Sequence, residues 1–185
     1  MLFMIVVLVI IVLVAFWFIG IYNRLVGMRN NVEASWQQID VQLQKRYDLV
    51  PNLVETVKGY AKHEKEVFER VTEARANCIN ASGAEAQGEA ENMLTGALKS
   101  LFAVAEAYPD LKANENFLML QQELANIENK VAYSRQHYND VVRAYNTLQQ
   151  QFPANMVAGM AGCRPADYFE IEEPAAREAP KVSFD

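Results

Sequence analysis

The chain has 185 residues, with 23 Asp and Glu against 17 Lys and Arg and a formal net charge of −6. That length suits one domain of ordinary size with an appendage, and the acidic balance argues against a general nucleic-acid binder, which needs a basic face to displace counterions. Two widely separated cysteines, Cys78 and Cys163, exclude a zinc ribbon, a CxxC redox pair and a disulfide framework, and with 8 Gly and 6 Pro the chain does not read as a many-turned β protein.

Met1 to Asn23 contains no charged side chain; the first is Arg24. Leu2 to Ile19 is almost entirely Val, Ile, Leu, Phe and Met, and as a helix it spans roughly 30 Å at about 1.5 Å per residue, enough to cross the hydrocarbon of a lipid bilayer. Trp17, Tyr22 and Arg24 fall at its end, where amphipathic rings and the first charge favour the membrane interface. Residues 1–23 are therefore expected to be an anchor. The rival is a cleaved signal peptide, against which stand the absence of a preceding Lys or Arg, the length of the run and the lack of a small-x-small site. Arg24 and Arg29 flank the C-terminal end, partly offset by Glu33 and Asp40. The positive-inside tendency places the N-terminus outside and the remaining chain in the cytoplasm.

From residue 29 the pattern is helical. Val32, Trp36, Ile39, Leu43, Val50, Leu53, Val57, Tyr60, Val67, Val71 and Ala74 follow steps of three and four, with Arg46 and Glu64 as charged interruptions. Pro51 removes one backbone donor, so a kink near Val50 in a continuous helix is expected; the alternative is a break with Asp48 capping a new helix. This helix should fade at Asn80, where Ala81-Ser82-Gly83 offers a flexible exit. A second helix is expected from Ala84 to Ala107, with Ala90, Leu94, Ala97, Leu101 and Val104 on one face, closed by Tyr108-Pro109-Asp110.

A third helix carries Phe117, Leu120, Leu124, Ile127, Val131, Ser134, Tyr138, Val141, Tyr145, Leu148 and Phe152 at heptad spacing and stops at Pro153. Three helices with short connections pack antiparallel in turn. The expected fold is all-α: a transmembrane helix (1–23), then an elongated antiparallel bundle of three long helices (24–155). The remainder (156–185) is a short apolar clip with a small helix, then an acidic tail. From Ala166 on, Asp167, Glu170, Glu172, Glu173, Glu178 and Asp185 outnumber Arg177 and Lys181, and with Pro174 and Pro180 the tail should be extended. Its aromatic pairs, Tyr168-Phe169 and Val182-Phe184, are candidates for docking.

Several ordered motifs together resemble one family. An N-terminal anchor precedes Tyr22-Asn23-Arg24-Leu25-Val26, then Arg46-Tyr47-Asp48-Leu49-Val50-Pro51-Asn52-Leu53-Val54 and Val57-Lys58-Gly59-Tyr60. Leu120-Gln121-Gln122-Glu123-Leu124, Glu128-Asn129, Tyr138-Asn139-Asp140 and Tyr145-Asn146 follow. Phe152-Pro153-Ala154-Asn155 and Pro180-Lys181-Val182-Ser183-Phe184 complete the set. The whole resembles the LemA family of bacterial membrane proteins over nearly the full chain. The resemblance implies a single-pass protein of the bacterial cytoplasmic (inner) membrane with a helical bundle, no established enzymatic activity, and, through magnetosome relatives, a membrane-associated structural role. Tyr47 stands where the family leads one to expect a second arginine, so no paired-arginine surface is expected.

Arg46 in the seam, with Asp48, Pro51, Asn52 and Glu55 around the bend, forms either a partner-binding polar site or, for Arg46, a register-fixing pair with a carboxylate of a facing helix; the pair is the favoured reading. Glu123, Glu128, Asn129, Tyr138 and Asp140 lack the Glu-x-x-His pairs of a bundle metal site, and His63 and His137 fall off the seams, so no metal or cofactor is expected. No nucleophile–base arrangement or glycine-rich phosphate loop is present, and no enzyme is expected. Asn and Gln cluster on outer faces, including Gln121 and Gln149. These faces either pack bundle against bundle in a homo-oligomer or are simply hydrophilic surface. The expected function is a self-assembling, membrane-organising scaffold; the alternative is an adaptor for another membrane protein, such as a protease or signalling receptor.

Overall fold

A computed structural model describes residues 1–171. Among them are six α-helices and no strand: α1 (Leu2–Tyr60), α2 (Lys65–Asn80), α3 (Ala84–Glu106), α4 (Pro109–Lys112), α5 (Glu115–Gln150) and α6 (Ala154–Met160). The all-α architecture follows from seams repeating every three and four residues. Its connections are short because each interruption is local. Gly83 adopts φ 89°, a conformation open to glycine, immediately before α3. Pro109 occupies the first turn of α4, where its missing N–H costs nothing. Asn114 caps α5, its Oδ1 accepting the Phe117 N–H at 3.0 Å.

The residues divide into two compact units, and α1 and α5 contribute to both. One holds Met1–Gln44 and Ile127–Tyr168. Its core contains Ile39 and Leu43 from α1 and Ile127, Val131, Tyr138, Val142 and Tyr145 from α5. Trp36 meets Tyr138 edge-on with ring centres 5.3 Å apart. Past α6 the chain runs extended. Asn146 holds it with both arms of its amide, donating to the Ala166 carbonyl and accepting from the Ala166 N–H, each at 2.9 Å. The Tyr138 hydroxyl donates to the Asp167 carbonyl at 2.9 Å.

The second unit holds Lys45–Asn126 and the segment that begins at Phe169. Val50, Leu53, Val57, Val71, Leu94, Leu101 and Leu111 are buried in it, each contributing roughly 1.5–3 kcal/mol by removal from water. Phe169 is completely buried, while Tyr168 is exposed. The tail thus docks through one ring of its first aromatic pair; Val182 and Phe184 lie outside the described residues.

Two sequence expectations need correction. The first body helix does not run to Asn80. It ends at Tyr60 and restarts at Lys65, while Pro51 leaves α1 unbroken. Gly59 weakens the helix by about 1 kcal/mol relative to Ala, and the turn keeps the seam in phase, since Val57, Ala61, Val67 and Val71 are all buried. On α3, Ala90, Leu94 and Leu101 are buried as expected, together with Gln87, Glu91, Leu98 and Ala105, whereas Ala97 and Val104 are only half-buried. A face drawn from its apolar residues alone misses the polar members, Gln87 and Glu91.

Gly88 on α3 lies against the docked tail, and a Cβ there would run into the Glu170 backbone carbonyl. Gly96, on the same helix, faces open space. Replacing Gly96 with Ala should raise stability by up to about 1 kcal/mol, as helix propensity dictates. Gly88→Ala should lower it instead, with faster hydrogen exchange at 169–171. Thermal unfolding of the two variants side by side checks the contrast.

Candidate functional site

Arg46 on α1 and Glu91 on α3 form an ion pair, with side chains 4% and 0% exposed. Arg46 Nη1 donates to one carboxylate oxygen and the Tyr47 hydroxyl to the other. Arg46 Nη2 also donates to Thr95 Oγ1 at 3.0 Å. Gln87 Nε2 donates to the Tyr47 oxygen at 2.7 Å and reaches the Cys78 carbonyl at 3.2 Å and Glu91 Oε1 at 3.3 Å. A buried charge is tolerable only with partners of this kind. Burial, and then the Glu91 charge, hold the Tyr47 hydroxyl well above the usual phenol range. The same two causes push the Cys78 thiol up to about 12. Both groups stay protonated at neutral pH, and Tyr47 serves as a neutral donor to the carboxylate.

The position that departs from the expected second arginine is therefore part of this cluster. A phenol hydroxyl satisfies Glu91 beside Arg46 without adding a second buried positive charge. Removing Arg46 alone leaves Glu91 buried and uncompensated, so Arg46→Met should cost about 3–5 kcal/mol. The double variant Arg46→Met/Glu91→Leu should recover part of that loss. Unfolding followed by circular dichroism on the detergent-solubilised full chain measures both.

One turn on, Pro51 has no N–H to give the Tyr47 carbonyl, its partner in an unbroken α-helix. Arg75 of α2 supplies the missing donor, its Nε donating to the Tyr47 carbonyl at 2.7 Å. A side chain from the neighbouring helix thus satisfies the acceptor that proline orphans. Arg75→Ala should cost about 1–3 kcal/mol, the range for a buried acceptor left unmade. In a Pro51→Ala background, where the new backbone N–H restores the intrahelical donor, the cost should shrink. A double-mutant cycle on unfolding free energies reads this coupling directly.

Sequence reasoning alone misses Glu91, Gln87, Thr95 and Arg75. A signal is present: Gln87 and Glu91 precede Leu94, Leu98 and Leu101 at heptad steps, so two polar residues occupy a core line and need partners there.

Of the other sequence candidates, Asp48, Pro51, Asn52 and Glu55 are all exposed on α1, separated from the buried Arg46. Glu55 meets Lys58 at 3.2 Å in an exposed pair worth little to stability. It also lines an open groove with Lys58, Lys65, Phe68, Glu69 and Thr72. Gln121 is exposed, but Gln149 is only 9% exposed and does not belong to an outer face. Tyr145, Leu148 and Gln149, at steps of three and one, all fall on the buried side of α5. Trp17, Tyr22 and Arg24 are exposed at the end of the apolar stretch. His63 and His137 are both exposed, and among the described residues no three His, Cys, Asp or Glu side chains gather in a form that could hold a metal ion.

Comparison with known proteins matches residues 35–184 to the LemA family. Magnetosome protein MamQ 2 of Paramagnetospirillum magneticum is 26% identical over 180 positions, covering 83% of this chain and 66% of that protein. Magnetosome protein MamQ of Magnetospirillum gryphiswaldense is 23% identical with the same coverage. Protein LemA of Metamycoplasma hominis is 24% identical over 175 positions, covering 92% of this chain and 76% of that protein. The chain thus spans just under two thirds of the magnetosome relatives' length.

Proposed function

This chain belongs to the LemA family, and from that premise we propose that it is a non-enzymatic, single-pass protein of the bacterial inner membrane that self-assembles as a membrane-organising scaffold. The observation that carries the reading is α1. One unbroken helix runs from Leu2 to Tyr60, beginning as a stretch long and apolar enough to cross a membrane, with none of that stretch buried in the protein, and ending inside a core fixed by Arg46 and Glu91. Arg24 and Arg29, exposed just past the span, favour the cytoplasmic side for the helices that follow.

Self-assembly is supported by Leu118, exposed one turn from Gln121 on α5. Such a face offers apolar area and uncharged hydrogen-bonding groups together. The names of the magnetosome relatives agree with a role at an organised membrane. Catalysis is left out of the reading because the buried carboxylate, Glu91, has both oxygens committed to Arg46, Tyr47 and Gln87.

The adaptor reading has its own support in the exposed Asp48, Asn52 and Glu55 and the groove that Glu55 lines. Native mass of the full-length protein, extracted with its lipids in mild detergent, separates the two. A large defined particle that Leu118→Glu with Gln121→Glu disperses is the expected result. A monomer that co-purifies stoichiometrically with another membrane protein would replace the scaffold by the adaptor.

A further inference from the structure

Helix α6 has two unlike faces. Ala154, Val157 and Ala158 are buried in a cluster with Leu25 and Leu148, against which Phe18, Ile21, Met28 and Cys163 also pack. Phe18 and Ile21 belong to the last turns of the uncharged stretch of α1, and Leu25 follows its first charge, Arg24. Packing therefore fixes α6 beside α1 at the depth where that stretch ends. The other face presents Phe152, Met156 and Met160, which are 80%, 63% and 77% exposed. Their spacing of four aligns Met156 and Met160 on one side of the helix, with Phe152 leading into it. No charged side chain occurs from Phe152 to Cys163, and a Cβ added at Gly159 would meet nothing. Three large apolar side chains within nine residues, all uncovered, mark a contact surface rather than ordinary exposure.

We propose that the Phe152–Met156–Met160 face of α6 is a second membrane contact, seated at the boundary between headgroups and acyl chains of the bilayer that α1 crosses. The occupant is lipid because α6 is held at this depth by Phe18 and Ile21, on a stretch of α1 whose Trp17, Ile19 and Tyr22 are themselves exposed. Arg24, Arg29 and Arg164, all exposed, supply positive charge suited to anionic headgroups at the same level. A span held at one point is free to tilt and rotate, and tilt is set by packing and interfacial anchors. A second contact fixes the angle at which α1 leaves the membrane. The proposal rests on the reading of residues 1–23 as a span.

The test reconstitutes the unaltered full chain into phosphatidylcholine/phosphatidylglycerol vesicles containing a phospholipid with a photoactivated diazirine on its acyl chain, and maps adducts by mass spectrometry. Adducts within 152–160 as well as within 2–19 are expected. Adducts within 2–19 alone overturn the α6 contact and leave the span standing; adducts in neither stretch overturn both. A second measurement attaches a nitroxide to Met156→Cys, Met160→Cys or Tyr133→Cys in a Cys78→Ala/Cys163→Ala background. Tyr133, 76% exposed on α5, serves as the water-facing reference. Oxygen should relax the labels at 156 and 160 several-fold more, relative to a water-soluble nickel complex, than the label at 133. Equal ratios at all three sites overturn the proposal, as does dipolar broadening between labels at 156, which would make a second copy the occupant.

Discussion

A proline inside a long helix creates an acceptor that the helix cannot satisfy, and the arrangement around α1 answers that constraint. The carbonyl orphaned by Pro51 belongs to Tyr47, and Arg75 reaches across from α2 to bond it. The side chain of the same Tyr47 goes to Glu91 on α3, beside Arg46. Two consecutive residues thus tie α1 to both helices that follow it, one through the backbone and one through a buried charge. Apolar packing alone tolerates sliding by a heptad step, but a carboxylate that must meet a guanidinium and a phenol does not. The register of α1, α2 and α3 follows from these few atoms.

In the unit formed by Met1–Gln44 and Ile127–Tyr168, a side-chain amide plays a comparable part. Asn146 offers a donor and an acceptor to one backbone unit, as a neighbouring strand would, and so holds an extended segment against a helix without any sheet. Tyr138 combines an edge contact to Trp36 with a hydrogen bond to the Asp167 carbonyl. Both residues come from motifs that carried the family resemblance. Both secure the chain after α6.

The proposed function rests on surface more than on reactive groups. Glu91, Tyr47 and Cys78 are titratable groups buried in one place, yet each is engaged or shielded, and the shifts of Tyr47 and Cys78 keep them in their neutral forms. The surfaces that remain available are apolar ones near the start of α1 and around α6, and mixed polar and apolar ones on α5. The proposed membrane-organising role draws on these surfaces.

The helical class, the apolar stretch, the inward placement of Arg46 and the end of α5 shortly before Pro153 are all legible from the residues alone. Each depends on local chemistry: hydropathy, a three-four repeat, a charge in a seam, or a missing N–H. Packing settles what local chemistry leaves open. Pro51 bends or breaks a helix unless some other residue supplies a donor, and whether Arg75 does so depends on where α2 lies. Gln149 looks like Gln121 in composition, but only the packing beside Tyr145 and Leu148 turns it inward. The partner of Arg46 had to be a carboxylate, and which one was fixed by the register of two helices whose paired residues lie 45 positions apart in the chain. Phe152, Met156 and Met160 are ordinary apolar residues in sequence; their exposure arises because Ala154, Val157 and Ala158 take the inner face of α6. Periodicity states that a residue faces inward, and only the fold states what it faces.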